Sequence, residues 1–336
     1  MNKLIVTLKQ HTPLIHFQPN QEGATLRASE VKPKLDRYIL TKLGNDDYQS
    51  GINLARDNGW LIGTGQHASL NYKMKIVASN PINLKMGIQP KKDKIKNQKK
   101  DELGELLYIT ENYPDNSNSL IMGNMEGRTK SDLLNFKMYE STILDIITTA
   151  TNMDTLLREH ICDFFAETNF GNRTSKGFGS YTVFSINGIM APKERGDWSL
   201  LFYLKSDGKD IDNQKAYKDI FFVINKLWKA LKKFSEAPTN SKLSVLLGRN
   251  NSLSDNEDRI PSALIFKPII INKEKNLWEV KLLAFLNHEI IDAAEADPED
   301  FYNLIDNAVD VVKATSKNTH LEDIKNNYQI EFIRIS

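Results

Sequence analysis

Two stretches hold most of the residues able to do chemistry. The first, "GNRTSKGFGSYTV" at 171–183, sets Arg173 and Lys176 among Gly171, Gly177 and Gly179. Glycine adopts positive φ and lets a backbone come close to another molecule, and a glycine turn presents free N–H groups, so cations beside them suit phosphate or ribose. The same residues also fit a tight helix-to-strand connection, with Phe178 either stacking on a base or anchoring a core. The loop follows a helix and enters a strand, the reverse of a nucleotide P-loop, and no G-x-x-x-x-G-K-[ST] occurs. The second stretch, "TLRASEVKPKLDR" at 25–37, crowds Arg27, Lys32, Lys34 and Arg37 into the start of a helix. A helix N-terminus attracts anions through its free N–H groups and its dipole. A solvated face paired with Glu30 and Asp36 is the alternative reading.

Other chemistry is sparse. There is no H-E-x-x-H, C-x-x-C or H-x-H, so a metal site is not expected, and nothing calls for a cofactor. His11 and His16 flank the first strand, where either could act as a base on a ribose 2′-OH or simply end the strand. Cys162 sits beside Phe164 and Phe165 as a small hydrophobe. As the single cysteine it excludes an internal disulfide, and with no signal peptide recognised the expectation is a reducing, cytosolic setting. No run reaches the roughly 18 apolar residues of a membrane helix. Lys and Arg number 44 against 43 Asp and Glu, so any polyanion site must be local. The lysine-rich "KKDKIKNQKK" at 91–100 reads as a solvated insertion or a phosphate contact, and "GRNNSLSDNEDR" as a surface loop.

The elements that position these residues follow from periodicity. "KLIVTLKQHTPLIHF" alternates as a first strand running to Phe17 past Pro13. Ser29 is expected to N-cap a helix with Val31, Leu35 and Ile39 on one face and Pro33 in its first turn. Strands follow at 72–79 and 82–88, then an insertion over about 90–130. The stretch from "LLNFKMYESTILDII" through "MDTLLREHICDFFAE" reads as helical, and "YTVFSI" as a strand. A boundary falls near "NGIMAPKERGD". Beyond it come the strand "WSLLFYLKS", an amphipathic helix with Tyr217, Phe221, Ile224, Leu227, Trp228 and Leu231 inward, paired strands "SALIFKPIII" and "LWEVKLLAFL", a helix over 298–314 and a closing strand "YQIEFIRI". The class is α+β, with domains at 1–190 and 197–336 and no repeat of 20–50 residues.

Taken together, the glycine-rich loop and the opening "TPLIHF…ATLRASEVKPKLDRYI" resemble the RAMP superfamily of CRISPR RNA-binding proteins, and within it the first subunit of Cmr (type III-B) effector complexes and related Cas7-like proteins. "DRIPSALIFKPIII" resembles a late strand of that subfamily. The resemblance implies a ferredoxin-like (RRM-like) core with a glycine-rich loop, followed by a second α+β or helical C-terminal unit that could be a degenerate copy. It implies a noncatalytic subunit that grips guide RNA (crRNA), with complementary target RNA and other CRISPR effector subunits as partners and no membrane. By position, Arg27, Ser29, Lys32, Lys34 and Arg37 line the guide, and Arg173, Lys176, Gly177, Phe178 and Gly179 cradle it. The loop at 18–25 holds Glu22 but no aspartate, unlike the target-cleaving subunits. The competing reading is a metal-independent repeat-processing ribonuclease using His11 or His16.

Overall fold

In the computed structural model, residues 1–16, 24–63, 69–87, 133–191, 198–204, 213–235, 243–248, 262–272, 277–285, 297–314 and 319–334 are described. The chain divides into two units. The first comprises Met1–Leu84, Phe136–Thr174 and Phe178–Arg195.

Its β1 (Asn2–Gln10) lies at the centre of an antiparallel sheet ordered β4-β5-β1-β6-β7, from β4 (Tyr72–Gly87), β5 (Leu133–Thr148), β6 (Tyr181–Ile186) and β7 (Ile189–Met190). A small β2–β3 hairpin (Leu61–Ile62, Ser69–Leu70) stands apart. Helices α1 (Ala28–Leu43) and α3 (Met153–Glu167) cover one face. Leu4, Val6 and Leu8 of β1 meet Val31, Leu35 and Ile39 of α1 and Leu157, Ile161 and Phe165 of α3 in a single core. The even residues of a strand share a face, and here that face is the dry one.

Three expectations are corrected. The first strand stops at Gln10 rather than Phe17, because Pro13 cannot donate to a ladder. Residues 72–87 form one strand, with Asn80 at φ 56° as an irregularity rather than a break. The stretch over 133–148 is a strand, not a helix: Phe136, Met138, Thr142, Leu144, Ile146 and Thr148 are buried, a period of two. Its three isoleucines and its threonines favour that conformation.

Helix α2 (Tyr48–Asp57), which periodicity did not reveal, starts from Asp47, whose carboxylate accepts from the amides of Gln49 and Ser50. The Ser50 hydroxyl first, and then these amides, hold the Asp47 carboxyl below its usual pKa. A depressed folded-state pKa gives stability that is present above the ordinary carboxylate value and is lost as pH falls through the folded one. Thermal melts from pH 6 down to pH 2 should therefore show a small acid-side loss that Asp47→Asn, a cap that does not titrate, removes from the profile.

The second unit comprises Lys85–Asn135, Ser175–Gly177 and Gly196–Ser336. Its antiparallel sheet is ordered β11-β8-β10-β9, from β8 (Trp198–Leu204), β9 (Leu264–Asn272), β10 (Leu277–Ala284) and β11 (Tyr328–Arg334). Between strands run α4 (Asn213–Ser235), the short α5 (Leu243–Leu246), α6 (Pro298–Ala314) and α7 (Thr319–Asn327). Tyr217 of α4 meets Trp278 of β10 edge-on at 4.8 Å. Main strands and helices alternate β-α-β-β-α-β in both units. In each, the last main strand lies beside the first and the third lies between the first and second. Among the described residues no helix is long and apolar enough to cross a membrane.

Candidate nucleic-acid interface

Helix α1 begins at Ala28 with Arg27 as its N-cap, so Ser29 does not cap it and Pro33 falls beyond the first turn. Arg27 is in extended conformation and caps with no side-chain bond. Both Arg27 and Ser29 are exposed. A helix start leaves its first N–H groups without internal acceptors, which places a partial positive charge beside Arg27.

Other α1 cations are engaged within the protein. Lys32 Nζ donates to Asp36 Oδ2 (2.7 Å), Ser69 Oγ (3.0 Å) and the Leu70 carbonyl (3.0 Å), and lies 4.1 Å from the Tyr72 ring centroid. Asp36 is buried and also accepts from the Leu70 amide, so this cluster ties α1 to the β2–β3 hairpin. Lys34 reaches Glu30 Oε1 at 3.3 Å and the Phe170 ring at 5.1 Å. Arg37 is exposed and lies 5.7 Å from the Tyr48 ring.

Glu30 joins the two stretches that are about 140 residues apart in sequence: its Oε1 accepts from the Gly171 amide at 2.6 Å. The loop is then stitched to the segment following β1. Asn172 N–H donates to the Ile15 carbonyl (2.7 Å), Gly179 N–H to that of Pro13 (2.8 Å) and Phe170 N–H to that of Gly179 (3.0 Å). Thr174–Lys176 forms one 3₁₀ turn. Arg173, just before it, has φ 58°, a left-handed conformation that non-glycine residues rarely adopt. Its guanidinium is partly buried, and desolvation lowers its pKa while leaving it cationic at neutral pH.

The glycines are explained from inside the molecule. At Gly171 (φ 76°) an added Cβ would lie 2.4 Å from the Ile15 carbonyl oxygen, and at Gly179 (φ 67°) 1.9 Å from that of Phe170. Gly177, grouped with the second unit, has φ 87° and would meet Pro268 at 2.8 Å. Close backbone approach is therefore to the protein's own chain. Lys176, in the same group, lies with Nζ 5.5 Å from the Trp228 ring. Phe178 is 2% exposed, so its ring anchors the core and offers no stacking face.

His11 is 1% exposed, and its Nε2 is 2.8 Å from Thr182 Oγ1. His16 Nε2 is 3.3 Å from the Thr25 carbonyl oxygen and donates to it in the matching tautomer. Among the described residues there is no group of three or more His, Cys, Asp or Glu that could hold a metal ion. The Glu22 loop, the 90–130 insertion with its lysine run, His67, His288 and the acidic segment after Gly248 lie outside the described residues. Sequence reading paired Glu30 only with the cations of its own helix; it did not anticipate the bond from the Gly171 amide to Glu30, nor the carbonyls of Pro13 and Ile15 that hold the loop.

The molecule is thus an α+β protein of two like-ordered antiparallel units, with the start of α1, next to Arg27, fastened through Glu30 to the Gly171 amide in the first. The family model described as "Cmr1 N-terminal domain" matches residues 1–233, more than half of the 336, and the chain belongs to that family. No curated protein matches. Among solved structures, the chain is similar to one in the cryo-EM structure of type III-B Cmr-beta bound to cognate target RNA and AMPPnP, in the presence of ssDNA. Identity there is 12%, over 91% of this chain and 98% of that one, with a TM-score of 0.46. It is also similar to apo Cmr1 from Pyrococcus furiosus, at 10% identity over 99% of this chain and 98% of that one, with a TM-score of 0.42.

Proposed function

We propose that the chain is a noncatalytic, guide-RNA-binding subunit of a type III-B CRISPR effector complex, acting in the cytosol with other effector subunits and with target RNA paired to the guide. In this reading each unit is a ferredoxin-like fold, and the strand order common to both supports it. The observation that carries the function is the Glu30–Gly171 bond, which fastens the loop bearing Arg173 to the helix start bearing Arg27 and Ser29. Those three side chains and the α1 amides contact the RNA backbone, with Arg37 further along the helix. Lys32, Lys34, Phe178 and Gly179 set the shape of that surface. Base pairing of the guide reads sequence, and the protein grips backbone and shape. The burial of His11 weighs against the ribonuclease reading, because a general base must reach the proton it takes.

The test incubates labelled repeat-containing RNA with wild type and Arg27→Ala/Arg173→Ala, on native and denaturing gels with and without EDTA. A charge-assisted contact contributes about 1.5–3 kcal/mol, so the variant should bind at least about tenfold more weakly, with RNA intact throughout. Equal binding overturns the site. Cleavage that survives EDTA overturns the noncatalytic role.

A further inference from the structure

The helices of the first unit cover the even-residue face of its sheet, which leaves the odd-residue face of β1, β4 and β5 outward. Lys3, Lys73, Lys75 and Lys137 stand on it. Asp145, the acid at the outward positions of β5, is held by Lys3 at 3.0 Å. Between the lysines lie Ile5, Val77 and Ile143, all exposed. At the β6 side, Leu8 pairs with Val183 and Thr7 with Ser185, so Phe184 is the extra residue of a β-bulge, and the residue is 47% exposed. Bulges re-aim a side chain and recur beside functional sites.

An exposed sheet face with this many large apolar side chains marks an interaction surface. The charge selects the occupant. An apolar protein face docked here would desolvate several ammonium groups against one carboxylate, an unfavourable arrangement. A single-stranded polynucleotide fits both features, since its bases have flat apolar faces and its phosphates pair with lysines spaced along the strands. A duplex hides its bases and would leave Phe184 and the isoleucines uncovered. Helix α1, with Arg27, packs against the opposite face, so this surface is separate from the loop site and does not depend on it.

We propose that the outward face of the first sheet is a second nucleic-acid contact, taking single-stranded polynucleotide with bases against Phe184, Ile5 and Ile143 and phosphates along Lys73, Lys75 and Lys137. The experiment measures fluorescence anisotropy of labelled oligouridine and oligothymidine of equal length across a salt series. It uses the full chain as wild type, Lys73→Glu/Lys75→Glu, Phe184→Leu and Arg27→Ala/Arg173→Ala. The lysine variant should bind about tenfold more weakly, and the slope of log affinity against log salt should fall by about 1.4, two single-strand phosphate contacts. Phe184→Leu keeps apolar bulk but removes the ring, and should lower affinity with an unchanged slope. Melting curves confirm that these surface variants fold. Wild-type affinity and slope in both sheet variants overturn the inference even if the arginine variant has lost binding. Loss in the sheet variants with no loss in the arginine variant supports the inference and overturns the loop site instead. Binding of neither oligonucleotide by wild type, or a self-association abolished by Phe184→Leu without oligonucleotide binding, also overturns it. Preference for oligouridine assigns part of the contact to the 2′-OH, and equal binding assigns it to base and phosphate.

Discussion

Arg173→Gly should bind guide RNA at least about tenfold more weakly than wild type while melting at or above the wild-type temperature. The two effects separate because Arg173 serves two opposing demands. Its φ of 58° places an L-residue in the left-handed region, which costs roughly 1–2 kcal/mol and which glycine occupies freely. Its partly buried guanidinium packs against the protein, and losing that packing offsets some of the relief. The net change in stability is then small or favourable. The lost affinity has no such compensation, because the cation next to the 3₁₀ turn is removed outright. If the residue were only a helix-to-strand connector, glycine would improve the melt and leave RNA binding unchanged. A filter-binding titration beside a thermal melt decides between these outcomes, and retained affinity sinks the role of Arg173.

Some of this architecture was legible in sequence and some was not, for identifiable reasons. Helices α4 and α6 carry strong apolar periods over long stretches, and β9 and β10 are apolar runs bounded by polar turn residues, so pattern alone placed them. In β5, Phe136, Met138 and Leu144 fall at spacings compatible with either period, and only the sheet puts them on a single face. The cations of 25–37 show the same limit in the site. Pairing of Lys32 with Asp36 and of Lys34 with Glu30 follows from i,i+4 spacing and is the alternative reading of the sequence, whereas tertiary contacts bring Ser69, Leu70 and Tyr72 around Lys32 and leave Arg27 at the helix start. Local spacing carries no information about a carboxylate that becomes buried or a hairpin carbonyl that arrives from 38 residues away. The glycine cluster was visible as unusual, yet its cause lay in Ile15 and Phe170, which only the fold brings near.

That cause makes Gly179→Ala the most damaging single methyl group in the loop. Positive φ alone does not make it so, because Gly188 in the β6–β7 turn has φ 83° and open space within 4 Å of an added Cβ. Gly188→Ala therefore measures the backbone penalty by itself, about 1 kcal/mol. At Gly179 the same penalty applies and the new carbon also lands 1.9 Å from the Phe170 carbonyl oxygen, a backbone atom that cannot rotate away. Phe170 cannot retreat easily either, since its ring is fully buried against Phe164, Phe165 and Tyr181. Relief requires breaking the Phe170–Gly179 bond or shifting the core, so Gly179→Ala should lose about 3 kcal/mol in a urea titration. RNA affinity should fall with it at temperatures where the fold survives, because the loop that holds Arg173 is displaced from the Pro13 carbonyl to which Gly179 donates. Equal losses at 179 and 188 would mean that φ alone explains the glycine, and the stitched loop would then not be what positions Arg173.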